Sequence, residues 1–315
     1  MLAENNASDS GGALYVSWSD VSWRGADETV FDANQAASVG GAMSILESTL
    51  SCEGDTTSTF SGNSAPDGGG LLALLSTLSF GGNSHFENNR ASGDPEFNGT
   101  GSGGAVYLLD STASWVGETE IFNNSALRSG GGIVMFNSTV SWEGNTTVSF
   151  LENSARIWGG VNLDESEVSW TGETEFINNT ALSGGAIFLR NGSTASWTGD
   201  TNFTSNQAFL DGGAIVSPEF DDKLNLENSA IQINGTTSFF NNACGGNGGA
   251  VTLLGACDLV VNPAASVRFT ENAAAVAGGA VFVSGAGAGP AFANTTFTSN
   301  SAQVGGAVAV FGSGN

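Results

Sequence analysis

Phe176-Ile177-Asn178-Asn179-Thr180-Ala181-Leu182-Ser183-Gly184-Gly185-Ala186-Ile187-Phe188-Leu189 is the stretch that decides the fold. An aromatic residue is followed three positions later by Asn and two after that by a small residue. A Gly-Gly pair then opens a short apolar run. The first half recurs from Phe31, Phe60, Phe86, Phe150, Phe203, Phe239, Phe269 and Phe297, with Leu2 and Ile121 as aliphatic variants. The second half follows at Gly11, Gly40, Gly69, Gly103, Gly131, Gly159, Gly184, Gly212, Gly248, Gly278 and Gly305, which makes eleven units mostly 25 to 30 residues apart. Longer gaps before Gly103 and Gly248 mark loop insertions near 92–102 and 217–230. Self-similarity at a fixed period of this size is the mark of a solenoid, and it outranks any local reading.

Between the halves runs an alternating phrase such as Val168-Ser169-Trp170, the period-2 pattern of a strand. Trp115, Trp142 and Trp197 stand where Trp170 does, as do Cys52 and Phe80, and serines hold the opposite parity at Ser51, Ser79, Ser114, Ser141, Ser169 and Ser196. The run after Gly-Gly also alternates, with apolar pairs such as Val106/Leu108 and Ile187/Leu189. Asn162 and Asp164 depart from that rule in one unit. Gly, Asn and β-branched residues interrupt every window long enough for a helix.

These patterns predict an all-β chain: a parallel β-helix of about eleven coils, each of three short strands and three turns. A rung buries its inner face only against neighbours above and below. With strands ~4.8 Å apart, eleven rungs make a rod on the order of 50 Å long. Like residues then pile into core ladders, with Trp115, Trp142, Trp170 and Trp197 in one, Phe150, Phe176 and Phe203 in a second, and Asn153, Asn179 and Asn206 in a third. An inward Asn column is chemically sound, because each amide both donates and accepts. One β-helix domain is expected over 1–315. Neither end reads as a polar cap, so the chain is expected to be a segment of a longer repeat protein or a subunit whose ends meet neighbours.

Phe-x-x-Asn alternating with Gly-Gly-Ala-[Ile/Val/Leu] resembles the repeats of the chlamydial polymorphic outer membrane protein (Pmp) family. The resemblance implies a right-handed, pectate-lyase-like parallel β-helix, a surface location and an adhesive role.

The formal charge of −24, with only seven Lys and Arg in 315 residues, repels phosphate backbones and argues against nucleic-acid partners. No apolar run is long enough to span a bilayer, so this segment is not expected to insert in a membrane. Ten Asn-x-Ser/Thr sequons, at Asn6, Asn98, Asn123, Asn137, Asn145, Asn178, Asn191, Asn202, Asn234 and Asn294, are candidate glycosylation sites and favour an extracellular or cell-surface setting. Cys244 and Cys257 flank the Gly248 strand. They either staple that rung as a disulfide or remain two thiols.

Parallel β-helices also serve polysaccharide-degrading enzymes, which need clustered carboxylates on one outer face. Glu118, Glu120, Glu173, Glu175 and Asp200 have outward parity, and Glu120, Ser149, Glu175 and Asn202 are expected to stack on successive rungs. That spacing leaves the carboxylates too far apart for paired acid–base work, so a solvated acidic face is expected. His85, the single histidine, precedes Phe86 and is expected at the surface. No metal or cofactor motif is present. Trp18 and Trp158 lie off the Trp column and are candidates for exposed contacts. Ice binding through the serine columns ranks below these readings, because bulky and charged neighbours interrupt them. The expected function is a non-enzymatic structural or adhesive rod, assembling end to end with copies of itself or neighbouring repeats and meeting host or matrix glycans and proteins. The alternative is a carbohydrate-active or carbohydrate-binding β-helix.

Overall fold

The structure is a computed structural model that describes residues 1–24, 28–54, 56–93, 100–144, 146–218, 229–255, 257–285 and 292–312. The second expected insertion lies largely outside these residues, as does the middle of the first. The chain forms two compact units, Met1–Ile157 and Trp158–Asn315, built on the same plan. Every described element is a β-strand or an isolated bridge, and all strand pairings are parallel. No helix long and apolar enough to cross a membrane occurs among the described residues.

One turn of the first unit shows the plan. It contains Thr119–Phe122 (a Phe strand), Ser125–Ala126 (an Asn strand), Ile133–Phe136 (a Gly-Gly strand) and Thr139–Trp142 (a Trp strand). Each turn therefore carries four strands where the sequence pattern predicted three. The extra one is the Asn strand, only two residues long, which pairs in register with its counterparts (Ser125 with Arg90 and with Ser154). Two residues are too few to display a period of two.

The core of each unit is a set of ladders. In the first, Phe31, Phe60 and Phe86 stack at 4.8 and 4.6 Å. In the second, Phe176, Phe203, Phe239 and Phe269 stack at 4.7 Å per step. Aromatic pairs free to choose would take offset or edge-to-face arrangements. Here the strand spacing imposes near-parallel rings, and the edge-to-face contacts run between ladders, as in Trp142 on Phe150 and Trp197 on Phe203. Phe80, Trp115 and Trp142 stack at 5.4 and 5.1 Å, and Trp170 stacks on Trp197 at 5.4 Å.

Beside the rings runs the asparagine ladder. Asn124 is fully buried; its Nδ2 donates to Asn153 Oδ1 at 3.0 Å and to the Phe86 carbonyl at 2.8 Å. Its Oδ1 accepts from the Asn89 backbone N–H and Nδ2. The same pattern holds at Asn63 and Asn89 in the first unit and at Asn206, Asn242 and Asn272 in the second. A buried amide with all its groups bonded adds specificity without an unsatisfied donor.

A second polar ladder, of serines, was not foreseen. The Ser48, Ser76 and Ser111 backbone N–H groups donate to Ser76, Ser111 and Ser138 Oγ, each at 3.1 Å. Each hydroxyl donates in turn to the carbonyl two residues back. Ser166 and Ser193 repeat the bond in the second unit.

Three corners per turn take left-handed backbone. One residue precedes each ladder Asn (Ala33, Asn88, Asn123, Asn178), and one precedes each ladder Ser (Glu47, Leu75, Asp110, Asn137). The third is the first glycine of the pair. At Gly40, φ is 65° and a Cβ would lie 2.2 Å from the Met43 carbonyl; at Gly41 it would lie 2.0 Å from the Gly69 carbonyl of the next turn. Both positions thus exclude any side chain.

The frame also accounts for Asn162 and Asp164. Val161 pairs with Ile187 and Leu163 with Leu189, so the glycine corner before Val161 is one residue shorter than Gly184-Gly185-Ala186. The inward pair is therefore Val161 and Leu163, both buried, and Asn162 and Asp164 lie on the outer parity.

Candidate functional site

The inner faces are committed to packing, so any site must be sought on the outer faces and corners. On the outer side of the Phe strands, His85 pairs with Glu120, whose Oε2 lies 3.3 Å from His85 Nδ1. Glu120 pairs on its other side with Ser149, and in the second unit Glu175 pairs with Asn202. These registers set Glu120 and Glu175 beside a neutral side chain or the histidine, while Glu173 and Asp200 directly precede the paired Thr174 and Thr201. No group of three His, Cys, Asp or Glu side chains able to hold a metal ion occurs among the described residues.

The sequons divide by position. Asn123 and Asn178 occupy the left-handed corner before a ladder Asn, and Asn137, Asn191 and Asn294 take positive φ elsewhere in the turn. Asn is the side chain, after Gly, that best tolerates this conformation. At Asn123 and Asn178 the next residue is the buried ladder Asn, and the one after begins an Asn strand with Ser125 or Thr180. Corner, ladder and strand chemistry thus write Asn-x-Ser/Thr without any demand for a glycan. Asn6, Asn123, Asn137, Asn178, Asn234 and Asn294 are exposed, Asn191 and Asn202 are partly covered, and Asn98 and Asn145 lie outside the described residues. Several corner amides are already engaged: Asn123 Nδ2 donates to Asn88 Oδ1 and Asn137 Nδ2 to Asp110 Oδ1, both at 2.7 Å.

Of the two readings of Cys244 and Cys257, the structure has the pair as two free thiols. Cys244 sits on an Asn strand between Ala208 and Ala274, and Cys257 sits on a Trp strand beside Ser229. The two belong to different sheets, and Cys244 Sγ is engaged by the Asn247 carbonyl at 3.2 Å. Burial pushes both thiols up to about 11 and that of Cys52 to about 12, so none is a nucleophile at neutral pH.

Two aspartates take the place of backbone acceptors. Asp67 Oδ1 accepts the Gly101 and Ser102 N–H groups, both at 2.8 Å, and so anchors the far end of the first insertion. Asp211 Oδ1 accepts from Asn247 N and Nδ2. Burial raises the Asp67 pKa, opposed by those N–H groups and by Arg128.

Of the off-column tryptophans, Trp18 is largely exposed. Trp158 is not a free contact. It stacks on Phe188 at 5.0 Å and lies 4.4 Å under the Arg190 guanidinium, which is ion-paired to Asp164.

The repeat model described as Chlamydia polymorphic membrane protein repeat matches residues 173–190. Over that window the chain carries a Pmp-like repeat. The matched window opens in the Phe strand Thr174–Ile177, crosses the Asn179 corner and the Gly184-Gly185 pair, and closes at the end of the strand Ile187–Arg190. The Pmp-like signature is thus the part of the turn whose residues are fixed by the asparagine ladder and the glycine corner. Neither the comparison with curated proteins nor that with solved structures gave a match.

Proposed function

We propose that this Pmp-like chain is a structural and adhesive segment of an extracellular or cell-surface protein, without enzymatic activity. The observation that carries the reading is the match of a membrane-protein repeat to residues 173–190, set in a β-helix turn whose buried Asn179 serves the asparagine ladder. Glu120 and Glu175 lie beside Ser149, Asn202 and His85, which supports a solvated acidic face over an acid–base pair at these two positions. The −24 charge supports partners other than nucleic acid.

Neighbouring repeats or further copies of the chain continue the coil end to end, and host or matrix glycans and proteins meet its outer faces. Glycans are carried at exposed sequons, Asn6 and Asn234 among them. Adhesion is tested by coating beads with the purified chain and scoring retention on cells and matrix, with light scattering over a concentration series for end-to-end growth. Retention and concentration-dependent growth are expected. Turnover of an acidic polysaccharide that is lost in Glu173→Gln or Glu175→Gln would replace this reading with the carbohydrate-active one.

A further inference from the structure

The Trp strands of the first unit carry an outer face that the sequence reading undervalued. Register places Thr49, Thr77, Thr112 and Thr139 in one column and Ser51, Ser79, Ser114 and Ser141 in a second. The four threonines are exposed and the four serines half-exposed. Successive strands lie ~4.8 Å apart, and alternate residues along a strand lie ~7 Å apart, so the hydroxyls form a two-dimensional lattice.

Three further observations bear on what this lattice meets. Ser141 Oγ donates to Glu143, and the other seven hydroxyls have no protein partner among the described residues. No charge falls between Thr49 and Thr139 or between Ser51 and Ser141, although the chain carries −24; the threonine column ends on Asp20, which pairs with Thr49. The acidic residues of these turns, Glu47, Asp110, Glu53 and Glu143, lie at the corners and strand ends that rim it. The face is also rigid: Leu50, Leu78, Ala113 and Val140, with Cys52, Phe80, Trp115 and Trp142, are buried directly beneath it. Threonine adds stiffness of its own, because its branched side chain has few χ1 options on a strand.

We propose that this face binds the surface of ice. A single hydroxyl contact nets little against liquid water. A lattice of them holds firmly only to a partner that satisfies all at once, and the rigid core has already met the cost of ordering them. An ordered water surface repeats in two dimensions at spacings close to these, whereas a flexible chain does not. Carboxylates inside the lattice would hold liquid-like hydration, and here they are confined to the rim. A crystalline polysaccharide fits less well. Such surfaces are met by flat aromatic rings, and the rings of these Trp strands, Phe80, Trp115 and Trp142, face inward.

The test uses the whole chain. Thermal hysteresis and inhibition of ice recrystallisation are measured for the native sequence, for Thr77→Tyr and Thr112→Tyr, and for Thr180→Tyr as an exposed control on an Asn strand. Far-UV circular dichroism verifies that each is folded. The native chain and Thr180→Tyr are expected to give hysteresis and faceted crystals, and both face variants to lose them. A folded native chain without either activity overturns the proposal. So does equal loss in the control, or sedimentation with crystalline cellulose or chitin in the absence of any effect on ice.

Discussion

At the scale of single residues, the fold depends on side chains that have no acceptable substitute. The fully buried Asn124 side chain takes part in four ladder hydrogen bonds. Truncation to Ala leaves the Asn89 N–H, the Asn153 Oδ1 and the Phe86 carbonyl without that partner. At ~1–3 kcal/mol for each stranded buried group, Asn124→Ala is expected to cost at least ~3 kcal/mol in a urea titration. A loss below ~1 kcal/mol would mean that the ladder is decoration. Leu75 gives the opposite sign. It is an exposed leucine held at φ 50° in the corner before the Ser76 ladder position, where its neighbours in the column are Glu47 and Asp110. Left-handed backbone costs a branched apolar residue ~1–2 kcal/mol, so Leu75→Asn is expected to raise the melting temperature, and a fall would contradict this account of the corner.

At the scale of elements, much was legible and the gaps have physical causes. The Phe, Gly-Gly and Trp strands announced themselves, because one face is buried and the alternation is therefore strict. The Asn strand did not, since two residues cannot show alternation. The serine ladder left a trace, a Ser directly before the outward Thr at Ser48, Ser76, Ser111 and Ser138, but a serine beside a corner looks like any turn residue. Asn162 and Asp164 looked anomalous only because a shortened glycine corner moved the frame by one residue, which reverses every parity after it. The sequons were read as a sign of compartment, while at Asn123 and Asn178 the corner geometry alone accounts for them. The first insertion is an element with a titratable anchor. The folded-state pKa of Asp67 is raised by burial, so its neutral form is the one the fold favours. The stabilising contribution of that neutral form is present below the ordinary carboxylate range and is lost as pH rises through the folded value. Asp67→Asn keeps an oxygen for the Gly101 and Ser102 N–H groups and removes the charge. Its melting temperature is expected to equal or exceed that of the native chain at pH 7, with the gap closing as pH falls through the carboxylate range. A marked loss at pH 7 would show that the charge itself holds the loop.

At the scale of the whole molecule, the chain is a repetition of one turn, and its chemistry is divided accordingly. The ladder rings and ladder amides face inward and meet their own kind. Among the described residues, the acidic ones lie at corners and on outer faces. What the sequence could not supply was the outer surface in two dimensions. Residues 27 to 35 positions apart in the chain, such as Thr77, Thr112 and Thr139, become neighbours only once the register is fixed. The ice-binding proposal and the adhesive reading both depend on that register, which is open to direct chemical measurement. Ser79 and Ser114 are 35 residues apart in sequence and directly paired on adjacent strands, within the Cα separation that a disulfide spans. Ser79 and Ser141 are two turns apart through Ser114, ~10 Å by strand spacing and out of reach. Under mild oxidation, Ser79→Cys with Ser114→Cys is expected to close an intramolecular disulfide in the folded chain, and Ser79→Cys with Ser141→Cys is expected to remain reduced. Failure of the first pair to close, or closure of the second in its place, would contradict the stacking of like residues on which the account rests.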